Sequence, residues 1–276
     1  RNLSEQLAMA WGNEEHDWQH PKTLVLIPAR IGSTRMKRKM LRRDTGMFLF
    51  EHTVKSVLAS NFISDAILAT DSQEIADAAA SVGIESVMTS ENHKSGTDRI
   101  HEALGKLTAK GRGPWEVVIN VQGDEPELPH EGLAALVEAF RDPKVELATL
   151  MTRLDSSESP TNPSVVKIVC DKLGRALYFS RAPIPSGSHA RSISISGTMD
   201  PTRRHVGVYA FTPEALERFC TLPESDLERI ENLEQLRWLE NGGRIQALEI
   251  RKAPPGIDTE QEYLQFVTRW RKQVGK

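Results

Sequence analysis

The sequence predicts an α/β protein with a mainly parallel sheet and helices on both faces. Three observations carry that prediction. Short apolar runs recur at 24–27, 66–69 and 117–121. Each ends in a polar loop, and apolar residues at helical spacing follow. Buried strands that alternate with amphipathic helices make βα units, whose crossovers pair strands in parallel.

Taken in order, "TLVLIPAR" reads as a buried strand halted by proline. "EHTVKSVLAS" sets Val54, Val57 and Leu58 on one helical face, and "AILAT" is a second strand. "DSQEIADAAASVG" opens with Asp71 and Glu74 at capping-box spacing and stops at Gly83, which predicts a helix. "VVINVQGDEP" gives a third strand and "EGLAALVEAF" another helix. The second half offers four short strands, "VVKIVCD", "ALYFS", "HVGVYAF" and "IQALEI". "SDLERIENLEQLRWLENGG" reads as one helix, boxed by Ser225 and Glu228, lined by Ile230, Leu233, Leu236 and Leu239, and ended by Gly242. The Ser-, Gly- and Pro-rich stretch 186–202 is expected to be a mobile loop. Residues 1–21 read as a tail or short added helix ahead of a single domain over 22–276.

Composition narrows the partners. A chain of 276 residues with 39% hydrophobic and 26% charged residues can bury a large core. A net charge of -3 argues against nucleic acid as the main partner, because such domains carry a basic excess. The basic residues Arg30, Arg35, Lys37, Arg38, Lys39, Arg42 and Arg43 cluster locally, which suits a small polyanion. Cys170 and Cys220 are too few and too far apart for a disulfide framework or metal site. No apolar run approaches the roughly 20 residues of a membrane span. The first twenty residues are polar and lack a signal-peptide pattern, so the expected compartment is the cytoplasm, without membrane insertion.

In open parallel sheets, ligands sit beyond the carboxyl ends of the strands. "PARIGSTRMKRKM" offers Gly32, Ser33, Thr34, Arg35 and Lys39 there, the hydroxyls, amides and cations that a triphosphate needs. It matches neither the Walker A loop nor the dinucleotide fingerprint, and a solvated basic turn is the competing reading. "SGTDR" at 95–99 supplies hydroxyls and an arginine, although Thr97 or Asp98 also suits a helix N-cap. In "NVQGDEP", Asp124 and Glu125 follow a buried strand, where a carboxylate suits Mg²⁺. Mg²⁺ binds through one or two carboxylates plus substrate phosphates, and Asp258 in "PPGIDTEQEY" is the second candidate, with helix capping as its alternative. Arg181 in "YFSRAPIP" is a natural carboxylate partner. His205 in "RRHVGVY" reads more readily as structural.

Taken together and in order, "IPARIGSTRMKRKML", "ATDSQEIADAAASVG", "VMTSENHKSGTDRI", "VVINVQGDEP", "NPSVVKIVCDKLGRALYFSRAPIP", "RRHVGVYAFTPEALERF" and "LERIENLEQLRWLENGGRI" with "PGIDTEQEY" resemble the 3-deoxy-manno-octulosonate cytidylyltransferase (CMP-Kdo synthetase) family over about 23–267. CMP-sialic acid synthetases share the opening loop more distantly. The resemblance implies a Rossmann-like nucleotide-diphospho-sugar transferase fold with a smaller lobe, roughly 150–245, for sugar binding and dimerisation. It also implies CTP and Kdo as substrates, CMP-Kdo and pyrophosphate as products for lipopolysaccharide precursor synthesis, Mg²⁺ as cofactor, and a homodimer. By position, Pro28, Ala29 and Arg30 meet base and ribose, and Arg35 and Lys39 neutralise the triphosphate. Ser95 and Arg99 lie on the base side, Gln122 reads ribose or sugar, and Asp124 and Asp258 hold Mg²⁺. Arg181, His205, Tyr209, Glu234 and Gln235 form the sugar site. Lys37 and Arg38 replace the family's usual Pro-Gly pair before the lysine, and Met40 replaces a common proline. A related acid (8-amino Kdo or a sialic acid) as substrate, and a homologue weakened in turnover by the altered loop, are the alternatives.

Overall fold

The computed structural model describes residues 20–32, 36–155, 158–186 and 202–275. Most of the expected tail (1–19 of 1–21) and most of the expected mobile loop (187–201) lie outside them. The central strand is β1 (Thr23–Ala29), buried at every residue. It pairs in parallel with β2 (Asp65–Thr70) on one side and β4 (Val117–Asn120) on the other, and β3 (Ser86–Met88) extends the sheet beyond β2. The full order is β3-β2-β1-β4-β8-β5-β9, with β5 (Leu147–Arg153), β8 (Arg203–Phe211) and β9 (Gln246–Glu249). In that path β8 alone runs antiparallel, against both β4 and β5. From β8 an antiparallel arm projects, β6 (Lys167–Cys170) with β7 (Ala176–Ser180).

Alternation along β1 assigns the two faces, since successive strand side chains point opposite ways. Val25, Ile27 and Ala29 pack with α1 (Leu49–Leu58), α2 (Gln73–Ser81) and α4 (His130–Ala139) through Phe50, Val54, Ile75 and Leu136. Leu24 and Leu26 face α3 (Gly96–Ala109) and α5 (Pro213–Thr221) through Ile100, Ala103, Leu216 and Phe219. Trp238 of α7 (Leu236–Glu240) joins that second core. The last helix, α8 (Glu260–Gln273), docks Tyr263 and Phe266 on Met36 and Leu49. No helix among the described residues is long and apolar enough to cross a membrane.

Local chemistry corrects several sequence expectations. The stretch after Ser225 is two helices, α6 (Asp226–Glu231) and α7, because Asn232 takes the left-handed conformation (φ 52°) and ends the first. Asparagine tolerates that region better than most residues. The capping box of Ser225 with Glu228 forms as expected, but Ile230 is 78% exposed and lines no core. Ser72, not Asp71, caps α2 by accepting from Ile75 N–H. Ser95, not Thr97 or Asp98, caps α3. Three elements escape the sequence pattern. β3 has three residues, and α5 follows directly from β8 through the Thr212 cap and Pro213. β5 is buried from Leu147 to Thr152 and so shows no alternation of apolar and polar residues.

Candidate active site

Because the chain turns to β2 on one side of β1 and later returns to β4 on the other, a crevice opens at the carboxyl ends of these strands. A pocket of about 220 Å³ fills it. Pro28, Ala29 and Arg30 at the end of β1 form one wall, and Ser95, Gly96 and Arg99 at the start of α3 form another. Lys39, Gln122, Asp124 and Asp258 complete the floor, so every described residue with an expected nucleotide or metal role lines this one pocket. Arg35, with Ser33 and Thr34, lies outside the described residues.

Lys39 opens a short 3₁₀ turn (Lys39–Leu41) and is 6% exposed. Its ammonium donates to Asp124 Oδ2 at 2.5 Å, the Ile257 carbonyl at 2.7 Å and Asp258 Oδ1 at 3.3 Å. Capping does not occupy Asp258, because Thr259 caps α8 and Glu262 completes the box. Next to Asp124, burial pushes the Glu125 carboxyl up to about 8, reinforced by the Asp124 charge. Glu125 therefore holds its proton at neutral pH, and the site gains no third carboxylate charge.

The pocket's cations divide into two groups. Arg99 is held by protein, donating to Asp71 at 2.7 Å, Thr89 Oγ1 at 2.6 Å and the Ser90 carbonyl at 3.2 Å. Arg30 and Lys94 line the pocket from exposed positions, with no carboxylate partner among the described residues.

A second polar group lies on β8 and in the turn between α6 and α7. His205 Nε2 and Thr149 Oγ1 hydrogen-bond at 2.9 Å, and the ring stands between Phe179 and Tyr209. Burial, with Arg204 beside it, pushes His205 down to about 3, so it is a neutral imidazole. Burial likewise holds the Tyr209 phenol protonated. Glu234 Oε1 accepts from Thr97 Oγ1 at 2.6 Å, whereas Glu234 Oε2 and Gln235 Nε2 are sealed from solvent without a hydrogen-bond partner among the described residues. Burial raises the Glu234 carboxyl above its ordinary value. Arg181 is turned to the main chain, donating to the carbonyls of Glu231 and Pro163 at 2.8 Å and Asn232 at 3.2 Å, and it does not line the nucleotide pocket.

A family model for cytidylyltransferases matches residues 24–248. The chain belongs to the cytidylyltransferase family. Within that family, the 3-deoxy-manno-octulosonate cytidylyltransferase of Koribacter versatilis (strain Ellin345) is 43% identical over 241 residues, 87% of each chain. That of Rhodopseudomonas palustris (strain BisB5) is 44% identical over 243 residues, 87% of this chain and 94% of its own. A solved structure of CMP:2-keto-3-deoxy-manno-octonic acid synthetase complexed with CTP superposes with a TM-score of 0.82 at 32% identity, covering 91% of this chain and 99% of that one. These relatives agree with the resemblance already visible in the ordered motifs.

In this cytidylyltransferase the altered opening loop keeps a glycine-like backbone. Arg38 sits at φ 54°, ψ 29°, the left-handed region, directly before Lys39. Its guanidinium pairs with Glu74 of α2 and is 61% exposed, while Lys37 is exposed. Arg38 thus faces α2, and the turn that delivers Lys39 survives the loss of glycine. Sequence reading missed Lys94 and Asn120, and saw in Thr97 only a hydroxyl or a helix cap. A polar residue closing the apolar run "VVIN" was the available signal for Asn120; Lys94 looks like any loop lysine.

Two outcomes are expected. Arg38→Gly, which keeps the backbone and removes an exposed pair, should change the KM for CTP by no more than about fivefold, as a pair worth at most ~1 kcal/mol allows; a loss well beyond that would mean the guanidinium reaches the nucleotide. For His205 the folded pKa lies below the unfolded value of about 6.5, so its contribution to stability is full above that pH and drains as pH falls toward about 3. Between about pH 6 and 4, denaturant unfolding of the wild type should lose up to ~1.4 kcal/mol per pH unit more than His205→Gln does; parallel curves would contradict the buried neutral imidazole.

Proposed function

We propose that this cytidylyltransferase activates 3-deoxy-manno-octulosonate (Kdo) with CTP, giving CMP-Kdo and pyrophosphate. The observation that carries the reading is the convergence of Lys39, Asp124 and Asp258 in the pocket at the ends of β1 and β4. Two carboxylates from separate loops meet there beside a buried cation, and Arg30 and Lys94, which have no carboxylate partner among the described residues, offer positive charge to a polyphosphate. Relatives named for this reaction align along most of the chain.

In the proposed reaction the anomeric hydroxyl of Kdo attacks the α-phosphorus of CTP. The new P–O bond forms as the bond to the bridging oxygen breaks, pyrophosphate leaves with the electron pair, and the hydroxyl proton passes to solvent. No side-chain nucleophile is needed, so catalysis rests on positioning and on stabilising charge. Lys39 holds its ammonium against both aspartates, beside which charge develops on the leaving oxygens. Asp124 and Asp258 fit Mg²⁺, since two convergent carboxylates plus phosphate oxygens are its usual donor set. Mg²⁺, when bound, neutralises negative charge on the phosphate oxygens. His205, Tyr209, Glu234 and Gln235 are proposed to meet the sugar, with the neutral His205 imidazole and the protonated Tyr209 phenol suited to hydroxyls.

The proposal includes a homodimer and a cytoplasmic site of action. Exposed Leu173, Leu177 and Ile230, on the β6–β7 arm and on α6, support a buried contact with a second copy. Both cysteines are free thiols, in keeping with a reducing compartment.

Pyrophosphate release in the presence of CTP, Mg²⁺ and Kdo tests the reading. Asp124→Asn should lower it by on the order of 100-fold or more while still folding, with a lowered melting temperature because the buried pair with Lys39 is broken. An active Asp124→Asn enzyme would sink the metal assignment, and a wild type that prefers N-acetylneuraminate to Kdo would sink the substrate.

A further inference from the structure

The strand β4 is apolar until its last residue, Asn120, which is 1% exposed. A buried amide must find partners, and this one uses both ends. Asn120 Oδ1 accepts from Gln122 Nε2 at 3.1 Å, and Asn120 Nδ2 donates to Thr97 Oγ1 at 3.3 Å. Thr97 is fully buried and has a single hydroxyl proton. Having accepted from Asn120, it donates that proton to Glu234 Oε1 at 2.6 Å.

We propose that Asn120 and Thr97 are positioning residues: they form a one-way hydrogen-bond relay that holds Gln122 in the nucleotide pocket and Glu234 on the sugar side in single orientations. The direction of the relay has chemical content. With one Nε2 N–H committed to Asn120, the orientation of the amide is set, so Oε1 is held as an acceptor beside the second Nε2 N–H on the pocket wall. Turning the Gln122 amide would set its oxygen against Asn120 Oδ1. Turning both amides would take the Thr97 proton away from Glu234. The far end of the relay is the Glu234 carboxyl, whose Oε2 is buried and without a hydrogen-bond partner among the described residues.

Packing locks the near end. A Cβ on Gly96 would stand 3.0 Å from Gln122 Nε2 and 3.1 Å from Pro28 Cγ, so the amide lies flat on the glycine and any side chain there would displace it. The middle is tied to the sheet, because Asn120 sits opposite Tyr209 in the β4–β8 register. The relay therefore runs from the nucleotide wall to the side chains proposed to meet the sugar. The fixed Gln122 Oε1 suits a donor such as a ribose hydroxyl or the cytosine amine, and the Glu234 carboxyl suits sugar hydroxyls. A site built from oriented buried polar groups rejects analogues that lack those hydroxyls.

This inference rests on the proposed reaction for the identity of the acid, and the experiment separates the two. Thr97→Val removes the hydroxyl at constant shape, and Thr97→Ser restores it. With CTP, Mg²⁺ and Kdo, Thr97→Val should raise the KM for Kdo about tenfold, leave the KM for CTP within about twofold, and be rescued by Thr97→Ser. Asn120→Ala, checked for folding by its melting temperature, should weaken CTP binding severalfold in calorimetry run without any sugar acid, so this arm holds whatever the acid is. Glu234→Gln is the control. If it raises the KM for Kdo and Thr97→Val does not, the relay is wrong and the reaction stands. If Kdo is not a substrate while Asn120→Ala still weakens CTP binding, the reaction is wrong and the relay stands. Equal impairment of Thr97→Val and Thr97→Ser, or unchanged CTP affinity in a folded Asn120→Ala, overturns the relay.

Discussion

One buried ammonium organises this molecule's functional end. Lys39 reaches Asp124 after β4, Asp258 ahead of α8 and the carbonyl of Ile257, joining segments that are 85 to 219 residues apart in sequence. Two carboxylates so close to one another repel, and a like-charged neighbour raises a carboxyl's pKa. Lys39 supplies the opposite charge that offsets this repulsion. Glu125, one residue from Asp124, shows the contrary case: burial and the neighbouring charge leave it protonated. The position of Lys39 depends in turn on the left-handed Arg38 before it and on the Met40 side chain of the same turn, which packs in the core.

The sheet explains why these groups meet there at all. With β2 and β4 on opposite sides of β1, the loops after all three strands surround one crevice. Its walls then follow two rules. Groups that shape the pocket are satisfied by protein: Arg99 by Asp71 and Thr89, the Gln122 amide nitrogen by Asn120, Lys39 by the aspartates. Groups left with capacity line the pocket, namely Arg30, Lys94 and the Gln122 oxygen, while Glu234 Oε2 is buried without a partner among the described residues. Saturated groups set geometry, and open ones are available to a ligand.

Much of this was legible in the sequence, for identifiable reasons. Leu24, Leu26 and their neighbours form an apolar run that only a doubly covered strand can bury, so β1, β2 and β4 were visible. The capping box at Ser225 was visible because its chemistry is local. Asp258 could be read as a cap or a ligand, and a structure was needed to show Thr259 capping instead. The break at Asn232 was invisible, since apolar spacing continues through it while one residue turns left-handed. What Arg38 touches depends on α2 lying across the loop, which no spacing within "RMKRK" encodes. The relay escaped for the same reason: Thr97, Asn120 and Glu234 meet only through the tertiary fold.

A double-mutant cycle on Lys39→Met and Asp124→Asn, read as unfolding free energy, tests the organising role of the lysine most directly. A buried pair at 2.5 Å predicts that each single change is clearly destabilising and that the two together cost less than their sum, with a coupling of at least about 1 kcal/mol. Additivity within about 0.3 kcal/mol would mean that Lys39 does not hold the aspartate, and the account of the site built around it would fail.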